Sequence, residues 1–347
     1  MTANKEFIPN KEGYRFPAEW ETHSSTWLSY PHNENSWPGK IHTIFPFYQQ
    51  FILEISKKEK VNINVQDDQM KQQITQELMA AGADLQTIEL HVHPTNDAWC
   101  RDHGPCFLKH NNNKQKIIVN WKYNAWGNKY PYEQDTVIPT LVGKKLGLPV
   151  VYPGIVMEGG SIDVNGAGTL LTTTSCLLHE NRNPNLTRQE IEQKLMDYYC
   201  VDKILWLADG IEGDDTNGHI DDITRFVNKD TVITMIEKNT HDANHEPLAY
   251  NLELLKKMRL QDGKQLNIVE IPMPDPLYYE GQRLPASYAN FYICNAAVIV
   301  PVFNCKQDQE AIDRLSECFN DRAIIGIDST EIIWGLGSWH CLSQQEC

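Results

Sequence analysis

The chain has 347 residues, 41% of them hydrophobic and 22% charged, with 31 Lys and Arg against 46 Asp and Glu and a formal net charge of −15. That length and apolar content are enough to bury a substantial core without a binding partner. The acidic balance argues against a nucleic-acid backbone or an anionic membrane surface as partner and would draw in a small cation, although the same acidity also serves solubility alone.

Met1-Thr2-Ala3-Asn4-Lys5-Glu6 holds no apolar signal segment, and no later stretch has the roughly 18 apolar residues of a membrane span, so a cytoplasmic protein is expected. No Gly/Ser tract, Pro-rich spacer or long run of like charge divides the chain, and residues 1–347 are read as one catalytic domain. Nine cysteines lie at 100, 106, 176, 200, 294, 305, 318, 341 and 347 without a paired spacing, which suits reduced, mostly buried thiols.

In chain order, residues 67–82 read as a helix opened by an Asp67 cap and stopped at Gly82. Residues 116–121 read as a strand, as do 169–173 after the polar turn Asp163-Val164-Asn165-Gly166. Thr187 and Glu190 form a capping box for a helix reaching about Tyr199. Strands follow at 231–236, after Asn228-Lys229-Asp230, and at 297–302, after Asn295-Ala296. Residues 309–319 carry the apolar stripe Ala311, Ile312, Leu315 and Phe319 of a last helix. The recurring unit is polar cluster, strand, turn, strand and often helix.

Four segments offer chemistry: Trp99-Cys100-Arg101-Asp102, Glu158-Gly159-Gly160, Gly218-His219-Ile220-Asp221, and Gly335-Leu336-Gly337-Ser338-Trp339-His340-Cys341. One thiol, one imidazole and three carboxylates in mostly Gly-flanked turns form a kit for attacking a cationic carbon, which points to a guanidinium substrate. From Asp102 to Glu158, His219, Asn290 and Cys341 the spacings are 56, 61, 71 and 51 residues, the mark of about five diverged modules each delivering a loop to a shared centre. An ordinary α/β fold with its loops on one side of the sheet fits the same pattern.

These motifs resemble those of the agmatine deiminases and the related bacterial peptidylarginine deiminases. The likeness is carried by Phe16-Pro17-Ala18-Glu19-Trp20-Glu21, Asn96 to Pro105, Met157-Glu158-Gly159-Gly160-Ser161-Ile162, Gly218 to Asp221, Ala286-Ser287-Tyr288-Ala289-Asn290-Phe291-Tyr292, and His340-Cys341 with Ser343-Gln344-Gln345, and it spans about residue 12 to 347. It implies an α/β fold, a five-bladed α/β propeller (the pentein fold) with its active site at the centre. It also implies hydrolysis of a cationic guanidinium small molecule, with no nucleic acid, membrane, metal or organic cofactor required, and a homodimer as the candidate assembly.

By that resemblance Cys341 is the nucleophile and His219 the acid/base, which protonates departing ammonia and then activates water. Asp102, Glu158 and Asp221 bind the guanidinium nitrogens, Trp99 stacks on the substrate, and Asn290 joins the substrate-binding set. From chemistry alone, Asp221 should raise the His219 pKa and burial lower it, holding it near working pH. Asp102 has a structural alternative in an ion pair with Arg101, Asp221 in a cap or turn, and Trp99 in the core. Thiol deprotonation has two routes, transfer to His219 or a pKa lowered by the bound cation.

Agmatine is the expected substrate. A free arginine or a C-terminal peptidyl arginine carries an α-carboxylate best met by Arg, and Trp121-Lys122-Tyr123-Asn124-Ala125-Trp126-Gly127-Asn128-Lys129 contains none. Glu212, Asp214 or Asp215 could receive the amine end. Where the family usually shows Gly-Gly-Gly-Asn-Ile-His-Cys, this chain has Leu336 and Trp339, which are expected to reshape the pocket. Two further readings are a metal-dependent amidohydrolase using His91 and His93 with Cys100, Asp102 or His103, and a scaffold that binds without turnover.

Overall fold

A computed structural model describes residues 7–347. Five small sheets repeat one pattern: a short strand pairs antiparallel with a longer one, and a helical crossover returns a parallel third. In the second blade Cys106–His110, Lys116–Val119 and Val150–Val151 follow this order, with Tyr14–Arg15 added at the outside of the first. The third blade has Ile162–Val164, Thr169–Thr173 and Lys203–Leu207; the fourth has Thr224–Phe226, Thr231–Ile236 and Asn267–Pro272. The fifth has Tyr292–Ile293, Ala297–Val302 and Ala323–Asp328.

The first blade is assembled from distant parts of the chain. Ser25–Ser29, Lys60–Val65 and Ile88–Val92 run parallel, and Ser343–Glu346 lies antiparallel to Ser25–Ser29 with Ser343 opposite Leu28 and Glu346 opposite Ser25. This pairing fastens the two ends of the ring. Lys116 reinforces it, its Nζ reaching Ser24 Oγ at 2.7 Å and Glu346 Oε1 at 2.9 Å.

Helices cover the blades through apolar stripes. Ile41–Ser56 buries Ile41, Ile44, Tyr48, Phe51, Ile52 and Ile55 at three- and four-residue spacing against the first blade, each worth about 1.5–3 kcal/mol. Asp68–Ala80 starts where Asp67 accepts from Met70 N, and Arg188–Tyr199 carries both halves of the Thr187/Glu190 capping box, as expected. The last helix is Gln307–Cys318, two residues earlier than the apolar stripe suggests, and the strand expected over 116–121 ends at Val119. No helix among the described residues is long and apolar enough to cross a membrane.

A short helical turn precedes the first strand of each blade: Cys100–His103, Gly159–Ser161, Ile220–Asp222, Tyr288–Asn290, and the turn ending at Cys341 before Ser343. Neighbouring turns pack on one another, so five points of the sequence meet at the middle of the ring. The expected five-bladed α/β propeller is the fold observed.

Candidate active site

At the ring's centre Cys341 Sγ accepts from Asn290 Nδ2 at 3.1 Å and lies 3.7 Å from Asp221 Oδ2. The His219 ring lies between carboxylates, with Nδ1 at 3.7 Å from Asp102 Oδ1 and 3.9 Å from Asp221 Oδ1, and Nε2 at 3.9 Å from Glu158 Oε2. Among the described residues neither His219 nitrogen nor Asp221 Oδ1 has a hydrogen-bond partner, although all three are buried. Buried polar atoms left this way are costly unless a ligand meets them.

Gly160 makes the convergence possible. A Cβ there would stand 2.7 Å from His219 Nδ1, 2.8 Å from Asp102 Oδ1 and 2.9 Å from Asp221 Oδ2. Its N–H instead donates to Asp102 Oδ1 at 2.9 Å, and Trp126 Nε1 donates to Asp102 Oδ2 at 2.9 Å. Asp102 is therefore not paired with Arg101, which reaches Glu19, Gln345 and the His340 carbonyl.

Behind this layer lies a buried ionic frame that the sequence did not announce. Glu19 Oε2 meets Arg101 at 3.2 Å, Arg225 at 3.1 Å and His340 Nε2 at 2.8 Å, and His340 Nδ1 reaches Asp221 Oδ2 at 2.6 Å. Glu158, which has no evident structural purpose in sequence, is held by Arg182 Nε at 2.6 Å. Arg182 lies 24 residues away with no motif around it. Cys176 Sγ adds a second thiol 4.0 Å from Glu158 Oε2.

Electrostatics follow from this packing. Burial pushes the Cys341 thiol well above its usual pKa, and Asp221, Asp222 and Asp102 push the same way against the Asn290 hydrogen bond. For His219 burial opposes the charge, yet Asp102 first and then Cys176 and Glu158 hold the imidazole protonated well above its ordinary pKa. The expectation that Asp221 sets a His219 pKa near working pH is thus corrected: Asp102 contributes most of the upward push. Asp102 itself is raised to about 6 by burial, with His219 opposing.

A cavity of about 220 Å³ opens onto Cys341, Asp102 and Trp99. Gly337 lets Trp99 close in, since a Cβ there would be 2.6 Å from its Cζ3. Leu336, at φ 69°, adopts a left-handed backbone unusual for its type and lines this cavity, as expected of a bulkier residue. Trp339 does not; it is buried against Phe51, ring centroids 4.8 Å apart.

Of the acids considered for the amine end, only Asp215 lines the cavity. Asp214 is consumed in its own turn, accepting from Thr216 N, Gly218 N and His219 N, and Glu212 borders a separate surface pocket. Asn290 Oδ1 accepts from His340 N and Cys341 N while its amide donates to Asp222 Oδ1 and Cys341 Sγ, so its side chain braces the turn that carries the thiol.

His91 and His93 hydrogen-bond Asn62 and Asn64, and His103 bonds Ser29. Among the described residues, the groups of three or more with metal-ligand spacing are Glu158, Cys176 and His219, and Asp221, Asp222 and Cys341; neither includes the His91/His93 pair.

Known proteins share this chain's sequence and fold over nearly its whole length. A Legionella pneumophila relative provisionally named an agmatine deiminase is 34% identical over 99% of this chain and 97% of its own. An Enterococcus faecalis agmatine deiminase is 31% identical, with a TM-score of 0.91 over 98% of this chain and 97% of that one. A substrate-bound agmatine deiminase from C. jejuni is 34% identical, with a TM-score of 0.87 over 96% of both chains. The family model for Porphyromonas-type peptidyl-arginine deiminases matches residues 15–347, so the chain belongs to that family and has its pentein fold.

Proposed function

We propose that the protein hydrolyses agmatine to N-carbamoylputrescine and ammonia through a covalent intermediate on Cys341, with the whole ring acting as one catalytic domain. The observation that carries this reading is the meeting of a thiol, an imidazole and three carboxylates at the centre of the ring, where Cys341 and Asp102 line the cavity and His219 Nδ1 and Nε2 and Asp221 Oδ1 are buried and unpartnered. A planar cation with paired N–H groups would supply the donor that Asp221 Oδ1 lacks, and Asp102 and Glu158 hold lone pairs beyond those used by Gly160, Trp126 and Arg182.

In the free site the thiol is protonated and His219 is already cationic, so His219 is a poor acceptor for the thiol proton. The bound guanidinium supplies the positive charge that favours the thiolate, and Asp221 Oδ2 lies 3.7 Å from the sulfur as the nearest acceptor. The thiolate attacks the guanidinium carbon, forming a C–S bond. A C–N bond then breaks, and His219 gives its proton to the leaving nitrogen, which departs as ammonia. The neutral imidazole next takes a proton from water as the water attacks the S-alkylthiouronium carbon. As the C–S bond breaks, the hydroxyl proton of the tetrahedral intermediate passes to the departing sulfur, giving the carbamoyl product and the thiol, and the proton first taken by Asp221 leaves with ammonia as ammonium.

Asp215 receives the distal ammonium at the mouth. The cavity lining contains no Arg to hold an α-carboxylate, which favours agmatine over arginine. This chemistry would serve putrescine synthesis in the cytoplasm. Ammonia release from agmatine, free arginine and an arginine-terminated peptide tests the substrate. Rapid acid quench of the wild type during turnover of agmatine tests the mechanism: a mass gain of agmatine minus ammonia on Cys341, absent from Cys341→Ala, is expected, and turnover without any adduct overturns the covalent step.

A further inference from the structure

The mouth of the cavity carries a second charge that the reaction does not use. Lys129 Nζ donates to the main-chain oxygen of Asp215 and, at 3.0 Å, to its Oδ1, while Tyr130 OH donates to Oδ2 at 2.8 Å. The Lys129 and Asp215 side chains are 29% and 34% exposed, against 2% for Asp102, so the pair marks the outer end of the cavity.

Lys129 is held there by an unusual segment. Ala125, Trp126, Gly127 and Asn128 are consecutively left-handed at φ 45°, 54°, 100° and 62°, and three of them are not glycine. Such backbone costs about 1–3 kcal/mol per residue and persists where surroundings enforce it. Here Asn124 Oδ1 accepts from Gly127 N, Asn124 O accepts from Asn128 N at 2.6 Å, and Trp126 is tied to Asp102. The same segment thus touches the guanidinium-binding carboxylate at one point and neutralises the mouth carboxylate at another.

We propose that Lys129 is a specificity-determining residue that sets which substrate tail the mouth accepts, an inference resting on the guanidine-hydrolase reading above. A tail ending in a lone ammonium approaches Asp215 against repulsion from Lys129. A tail bearing both ammonium and carboxylate divides the pair, its ammonium to Asp215 and its carboxylate to Lys129. Lys129 therefore weakens discrimination between agmatine and arginine, and it positions charge without touching the reacting atoms.

The test compares wild type, Lys129→Met and Lys129→Arg. For Lys129→Met the KM for agmatine should fall about fivefold and the KM or inhibition constant of arginine should rise about fivefold, with kcat for agmatine little changed. Lys129→Arg should restore the wild-type ratio. Parallel changes for both ligands, an equal loss of kcat, or no change would overturn the proposal. If wild type releases ammonia from neither compound, the functional reading has failed by itself. Calorimetric binding of both ligands to Cys341→Ser, with and without Lys129→Met, still reads the tail preference in that event.

Discussion

Trp126 Nε1 donates to Asp102 Oδ2 while Gly160 N donates to Asp102 Oδ1, both at 2.9 Å, so the carboxylate plane is fixed from two different blades before any substrate arrives. Preorganisation of this kind spares a reacting site the cost of ordering its groups. Trp126→Phe keeps the ring and removes the donor. Its kcat/KM for agmatine should fall about tenfold, consistent with loss of one hydrogen bond to a charged group, with the urea midpoint nearly unchanged.

Gly160→Ala should be far more damaging to activity than to folding. Its backbone is not left-handed, so alanine is tolerated locally, but the methyl would be thrust among His219, Asp102 and Asp221. We expect a loss of at least about 100-fold in kcat with a native circular dichroism spectrum.

The acid limb of kcat/KM should report Asp102. Its pKa, raised to about 6, leaves the carboxylate protonated and unable to accept a guanidinium N–H pair at lower pH. The profile in log kcat/KM against pH should therefore bend near pH 6 and descend below it. Asp102→Asn should lose that bend along with at least about 100-fold of activity. Because the raised folded pKa means that the ionised form destabilises the native state at neutral pH, the same variant should unfold at an equal or higher urea concentration.

Glu19 has the opposite sign. Burial favours its neutral form, but Arg225, His340 and Arg101 together hold it well below the carboxylate range. A depressed folded pKa contributes stability that is fully present above the unfolded value near 4.5 and is lost as pH falls through the folded value. Glu19→Gln removes the carboxylate shared by Arg101, Arg225 and His340, leaves Arg225 with Asp163 alone as its counter-charge, and should cost about 3 kcal/mol at pH 7, with the deficit shrinking as pH drops below about 4 in paired denaturation curves.

Elements with local chemical signatures were legible in the sequence. The Asp67 cap, the Thr187/Glu190 box and the strands at 169–173, 231–236 and 297–302 each form as read. The helix Ile41–Ser56 went unread because it has no side-chain cap and holds Pro46 within it. Cys341, His219, Asp102, Glu158 and Asp221 sit in turns whose Gly neighbours signal close approach, and the structure brings all five together. Trp126 and Arg182 reach Asp102 and Glu158 from 24 residues away, and Arg225 reaches Glu19 from the other side of the chain, separations that no local pattern encodes. Asn290 was found through its motif, but which of its amide faces served the thiol depended on the neighbouring turn.

Cys341 sits two residues before Ser343–Glu346, the strand that fastens the last blade to the first. The proposed nucleophile is thus mounted on the clasp of the ring. Peeling that strand away would carry the sulfur from Asn290 while leaving the other four blades' pairings untouched, so turnover doubles as a gauge of whether the clasp is shut.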